Sequence, residues 1–125
     1  MSPGPKIIEF FHTADGRCPF EEWFSNLNDL RARGKIQSRL VMLRAGNPGK
    51  IRNLAGGITE AKIDYGPGYR YYYGEKDGKY VILLCGGNKS TQTEDINRAR
   101  EFWGRTKGEK WRNFVRALTR GLLRI

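Results

Sequence analysis

The sequence predicts an α+β domain, a small antiparallel sheet with helices packed on one of its faces. Three observations carry this. Apolar residues recur at helical spacing over residues 18–43, a cappable stretch with an acidic start and basic later turns occupies 88–103, and short β-rich segments divided by glycine turns fill residues 50–87. The pieces then follow one another as strand, helix, helix, three strands, helix. At 125 residues the chain is long enough for one real core and too short for two.

"KIIEFFHT" (6–13) is rich in β-branched and aromatic residues between Pro/Gly and "ADG", which reads as the first strand. In "CPFEEWFSNLNDL", Pro19 suits a first helical turn and Glu21 and Glu22 suit the positive helix end. Phe20, Trp23, Phe24, Leu27 and Leu30 recur at helical spacing. A second helix follows Gly34 on the stripe Ile36, Leu40, Leu43 and ends at "GNPG". Three strands come next, "KIRNLAGGITEAKIDYG" (50–66), "GYRYYYGE" (68–75) and "KYVILLCGG" (79–87), the last apolar enough to be central and covered on both faces. Thr91 or Thr93 caps a third helix with Glu94 and Asp95 in its first turn. These elements make a domain over residues 1–104, and residues 105–125 form an extension.

That extension, "EKWRNFVRALTRGLLRI" with its approach, puts Trp111, Phe114, Val115, Leu118, Leu122 and Ile125 on one helical stripe, beside Arg112, Arg116, Arg120 and Arg124. It predicts a basic amphipathic helix, which either docks on the domain or serves as a nucleic-acid or membrane-surface arm. The chain carries a net charge of +10, and residues 105–125 hold seven cations against Glu109 alone. Such a balance favours polyanionic partners over neutral small molecules. Cys18 and Cys85 lack metal-like spacing, the N-terminal residues lack a secretion signal, and no apolar run reaches a membrane span. A cytoplasmic protein is expected. His12 stands alone, which removes a histidine-rich zinc site and any two-histidine acid–base pair. It is expected at a strand end without a catalytic part, and Trp23, Phe24 and Trp103 fall on apolar stripes that read as core.

The hairpin "YGPGYRYYYGEKDG" is more informative. Pro67-Gly68 suits a type II turn, which fits a two-residue hairpin poorly, so an odd loop of Gly66, Pro67 and Gly68 is expected. Tyr65 then pairs with Tyr69, Asp64 with Arg70 and Lys62 with Tyr72. Glu60, Lys62, Asp64, Arg70 and Tyr72 line one face, and Ala61, Ile63, Tyr65, Tyr69, Tyr71 and Tyr73 the other. Lys89 and Gln92, just past the central strand, reach the same end of the sheet. Lys62, Arg70 and Lys89 around a concave patch suit a bound phosphate. Glu60 and Asp64 equally allow a plain surface ion-pair ladder.

"GYRYYYGEKDGKYVILLCGGNKSTQTEDINRAREFW", together with "CPFEEWFSNL" and the element order, resembles the RelE/HigB-type toxins of type II toxin–antitoxin modules, in particular their addiction-module killer proteins. The resemblance covers residues 6–104. Members often carry arginine where Lys62 stands and aspartate where Asn88 stands, and the basic tail lies outside the usual domain. The resemblance implies a RelE-like fold and an mRNA interferase, a metal-independent endoribonuclease without cofactor that acts on mRNA, commonly on the ribosome. It also implies a cognate antitoxin protein that inhibits it in a hetero-oligomer.

The 2′-hydroxyl of RNA supplies the nucleophile, so such an enzyme orients the nucleotide, neutralises charge on the phosphate and moves protons. By match to the family's "GYR" motif, Arg70 is expected to bind the scissile phosphate. Lys62 is a general base or second phosphate ligand, and the base role requires lowering from a free lysine value of about 10.4. Lys89 is a third clamp or proton donor. Tyr72 stacks on a base, donates a proton, or is an ordinary strand tyrosine. Gln92 positions Lys89, contacts RNA or caps the helix, while Lys50 and Arg52 track phosphates or are simply solvated. Two other functions fit the same scaffold: a ParE-like toxin that binds gyrase without cutting RNA, and a non-catalytic nucleic-acid-binding protein using the tail arginines.

Overall fold

The computed structural model describes residues 4–108 and 110–117, the last two by their backbone. Among the described residues the chain forms six strands and three α-helices in the order β1 (Ile7–Phe11), α1 (Pro19–Ser25), α2 (Leu30–Arg44), β2 (Ile51–Leu54), β3 (Ile58–Ile63), β4 (Tyr69–Lys76), β5 (Tyr80–Gly87), α3 (Gln92–Arg105) and β6 (Val115–Ala117). The strands make one sheet, ordered β2-β3-β4-β5-β1-β6. The α+β class therefore holds, with corrections to its layout.

The sheet is mixed rather than antiparallel, because β1 runs parallel to β5 while the other pairings are antiparallel. A tight hairpin forces antiparallel pairing, but β1 and β5 are far apart in sequence, and periodicity carries no information on their relative direction. Helices cover both faces, not one. Phe20, Phe24, Ala32, Ile36, Leu40 and Leu43 of α1 and α2 pack on Ile8, Phe10, Tyr71, Tyr73, Val81 and Leu83. Ala99, Phe102 and Trp103 of α3 pack on Phe11, Ile58, Tyr72, Ile82 and Leu84 from the opposite side. Central strand β5 is buried along nearly its whole length, as "VILLC" predicts. Residues 50–66 hold two strands, not one, because Gly56 and Gly57 adopt φ of 92° and 84° and turn the chain into a hairpin.

Helix α2 begins at Leu30, ahead of Gly34, because Asp29 caps it and its Oδ1 accepts from the backbone N–H of Arg31 and Ala32. The predicted helix over the tail is corrected where it is described. Residues Trp111–Phe114 form a 3₁₀ turn, and Val115–Ala117 form β6 against Glu9–Phe11. The outer edge of β1 needs hydrogen-bond partners, and a strand supplies them where a helix cannot. The apolar stripe still reaches the domain, with Trp111, Phe114 and Val115 joining the α3-side core. The rest of the stripe, Leu118, Leu122 and Ile125, and the arginines beside it, Arg120 and Arg124, lie outside the described residues. None of the described helices is long and apolar enough to cross a membrane.

The "CGGNKS" segment fixes where α3 starts. The indole of Trp23 lies over Gly86 from one face, within 2.2 Å of where a Cβ would stand, and the Asp95 carboxylate lies against Gly87 from the other, at 1.7 Å. Beyond them Asn88 Oδ1 accepts from the backbone N–H of Ser90, and Thr91 donates to Asp95 Oδ2 at 2.5 Å. No side chain larger than hydrogen fits at either glycine. We expect Gly87→Ala to cost about 2 kcal/mol or more in urea unfolding, since the clash is with a buried carboxylate and not with a flexible tip. A cost below 0.5 kcal/mol would contradict this packing.

Burial pushes the Asp95 carboxyl above its ordinary range, against the pull of the Thr91 hydroxyl and of Arg98. The fold therefore favours the protonated acid. The contribution of Asp95 is fully present below the unfolded-chain value of about 3.9 and is lost as pH rises through the higher folded value. The stability difference between wild type and Asp95→Asn should accordingly move toward wild type as pH falls from about 7 to 3. A pH-independent difference would contradict the assignment.

Candidate functional site

The hairpin β3–β4 brings the predicted residues together, with one adjustment of register. Its loop runs over Asp64–Gly68, so Lys62 stands opposite Arg70 and Glu60 opposite Tyr72, two residues from the expected pairing. Because the loop is still odd, every side chain keeps the face predicted for it. The charged face opens into two adjoining recesses of about 470 and 530 Å³. Lys50, Arg52, Glu60 and Gln92 wall the first, Asp64 and Lys89 the second, and Lys62 and Arg70 line both. Five cations thus face two carboxylates around one open groove.

Gly68 makes the convergence possible. It sits at φ 76°, and a Cβ there would stand 3.3 Å from Arg70 Nη1 and 3.6 Å from Lys89 Cβ. Its carbonyl accepts from Arg70 Nη1 at 2.8 Å, while the Lys89 backbone N–H donates to the Pro67 carbonyl at 3.3 Å. Strand β4, the turn and the start of the α3 segment are thereby stitched together. The Lys89 side chain is exposed and, among the described residues, has no carboxylate within ion-pair distance.

Beneath the groove lies Glu60, 5 % exposed. Its Oε2 accepts from the Tyr72 hydroxyl and from Gln92 Nε2, each at 2.9 Å, and faces Arg70 Nε at 3.8 Å. Its Oε1 meets Arg52 Nη2 at 3.1 Å. The role of Gln92 follows: it holds Glu60 and reaches the groove wall, while Asn88 and Thr91 organise the helix start. Arg70 is 7 % exposed and anchored at two points, so its guanidinium is pre-oriented.

The second carboxylate, Asp64, is exposed between Lys50 Nζ at 3.0 Å and Lys62 Nζ at 3.5 Å. The hydrogen bond from Lys50, aided by the charge of Lys62, holds its carboxyl below the usual range. The ion-pair ladder anticipated from the sequence is therefore present, yet it leaves the groove open. Exposed pairs contribute about 0–1 kcal/mol, so Asp64 holds the two lysines only weakly.

Tyr72 is placed differently from its assigned roles. It is fully buried in the α3-side core, and burial first, then its bond to Glu60, pushes its hydroxyl pKa up. It lines neither recess, so base stacking and proton donation to RNA are both out of its reach. His12 lines neither recess and places Nδ1 3.1 Å from the Phe10 carbonyl. Phe24 and Trp103 are core residues and Trp23 packs against the core, as expected.

One residue escaped the sequence reading altogether. Arg39 of α2 donates from Nη1 to the Lys62 carbonyl at 2.6 Å and from Nη2 to the carbonyls of Pro48 and Lys50 at 3.1 and 3.0 Å. Gly49 makes room for it, since a Cβ there would stand 2.7 Å from Arg39 Nε. The guanidinium fork thus fixes the backbone of both groove lysines. No spacing rule marks it, because a solvated arginine on a helix looks the same in sequence.

No family model and no solved structure matches the chain. A chain of Haemophilus influenzae described as an uncharacterized protein is 49 % identical over 81 residues, covering 65 % of this chain and 82 % of that one. Identity and coverage of this size show that the chain belongs to the same family as that H. influenzae protein.

Proposed function

We propose that the protein is the toxin of a type II toxin–antitoxin module, a cytoplasmic, metal-independent endoribonuclease. It cuts mRNA on the ribosome and is held inactive by a cognate antitoxin in a hetero-oligomer. The observation that carries this reading is the open groove in which Lys62 and Arg70 line both recesses, with Lys89 beside them and five cations facing two carboxylates. Of the residues that build this groove, Gly68, Arg70, Lys89 and Gln92 fall within the segment that carries the resemblance to RelE/HigB-type toxins.

In this reading Arg70 is the phosphate ligand, pre-oriented by Glu60 and the Gly68 carbonyl so that no reorganisation is needed as charge grows on the phosphate. Lys62 binds the same phosphate or takes the proton of the attacking 2′-hydroxyl. Lys89, exposed and unpaired among the described residues, donates a proton to the departing 5′-oxygen. Glu60 and Gln92 position these groups, and Lys50 and Arg52 hold the flanking backbone. An acidic antitoxin segment would inhibit by filling the groove with carboxylates.

Induction of wild type and Arg70→Ala in bacteria, followed by mapping of mRNA 5′ ends, tests the reading. New cuts should appear with wild type alone, because loss of one such donor lowers a rate by about 10²–10³-fold. Growth arrest with unchanged transcripts would overturn it in favour of gyrase binding. Tyr72→Phe separates scaffold from chemistry. It should lose about 1.5–3 kcal/mol of stability with its bond to the Glu60 carboxylate, yet keep cleavage within about tenfold of wild type. Loss of cleavage at unchanged stability would restore a direct role for Tyr72.

A further inference from the structure

A recess of about 830 Å³ lies beside the groove and not in it, along α2. Arg31, Lys35, Ser38 and Arg39 line it together with Ile63 and Asp64 at the end of β3. Asp64 also lines the second recess of the groove, so the two hollows meet at this residue at the corner of the sheet. Arg31, Lys35 and Arg39 are four residues apart, which sets them on one helix face at steps of about 6 Å. That step is close to one nucleotide of a stretched single strand.

The three cations differ in what they can offer a ligand. The Arg39 guanidinium is committed to three backbone carbonyls. Arg31 and Lys35 are exposed, and among the described residues neither forms an ion pair. Lys35 lies over the Tyr65 ring, its Nζ 5.3 Å from the centroid, and the Tyr65 hydroxyl donates to Asp29, the cap of the same helix. The aromatic therefore holds Lys35 toward the hairpin without cancelling its charge. Gly34 keeps the wall between Arg31 and Lys35 low, with nothing within 4 Å of where its Cβ would stand. Asp64, the carboxylate at the junction, is already shared by Lys50 and Lys62.

We infer that the α2 recess is a second phosphate-binding arm that carries the RNA backbone outside the reacting nucleotide. The ligand of the whole track is then a single-stranded polynucleotide several nucleotides long. This rests on the groove being a nucleic-acid site. An acidic protein strand is the competing occupant. Two features favour RNA: adjacency, through Asp64, to the groove that holds Arg70, and exposed cations without an ion pair among the described residues, spaced at a nucleotide-like step.

The test uses the full chain with uncleavable 2′-O-methyl oligonucleotides of 3 and 12 nucleotides, titrated at several salt concentrations. Arg31→Ala/Lys35→Ala should weaken 12-mer binding about tenfold and reduce its salt slope by about 1.4, which corresponds to two lost phosphate contacts on a single strand. The trimer affinity should change less than twofold, whereas Arg70→Ala should weaken the trimer. If the double variant binds the 12-mer like wild type while Arg70→Ala weakens the trimer, the arm is overturned and the groove stands. If Arg70→Ala leaves both oligonucleotides bound as before, the groove reading falls and the arm with it. If the double variant weakens binding of an acidic polypeptide such as poly-glutamate but not of the 12-mer, the recess is a protein site and the inference fails.

Discussion

The carboxylate of Glu60 is the point on which the groove depends. Removing a charge of this kind from water costs several kcal/mol unless donors replace the lost hydration. Here they come from three places at once, Arg52 on β2, Tyr72 on β4 and Gln92 on α3, while the Arg70 guanidinium adds its charge at 3.8 Å without a hydrogen bond. Each donor satisfies Glu60 and is fixed by it in return. Without a buried negative charge, Arg52 and Arg70 would repel each other and splay toward solvent. With it, cations can be crowded under an open surface and still leave capacity for an added anion. Loss of one donor leaves the others sharing an under-satisfied charge, so the effects of single changes around Glu60 will not add.

Arg39 does for the backbone what Glu60 does for the side chains. Its hydrogen bonds to the carbonyls of Pro48, Lys50 and Lys62 tie α2 to the corner where β2 begins and β3 ends. Together the two residues clamp the sheet end from both of its faces, and the groove lies between clamped elements rather than on a loose loop. A site built this way needs little ordering when a ligand arrives, which favours affinity. The ammonium groups of exposed Lys50 and half-buried Lys62, weakly held by Asp64, remain the adaptable part.

Much of this was legible in the sequence wherever a local rule applied. Pro19 and the Phe20–Phe24 stripe specify α1, and the apolar run of β5 specifies a central strand. An odd hairpin loop fixed which residues share a face even though its length was misjudged, because parity alone decides the side. What was not legible depends on contacts between distant segments. The direction of β1 against β5, and β6 taking the place of a helix, answer to an unpaired strand edge that no window of the sequence reveals. Tyr72 reads as one of four aromatics in a polar-faced strand, but α3 covers that face and buries it. Glu60 was visible as a charge partner, yet its burial and its three donors required the fold.

The central claim is that this groove grips a ribonucleotide so that its own 2′-oxygen breaks the chain. Ribosome-bound messages carrying a single 2′-deoxynucleotide immediately 5′ of a mapped cut test it most directly. The account predicts that the substituted bond stays intact while the all-ribose message yields an upstream fragment ending in a 2′,3′-cyclic phosphate. Equal cleavage of both messages would contradict it.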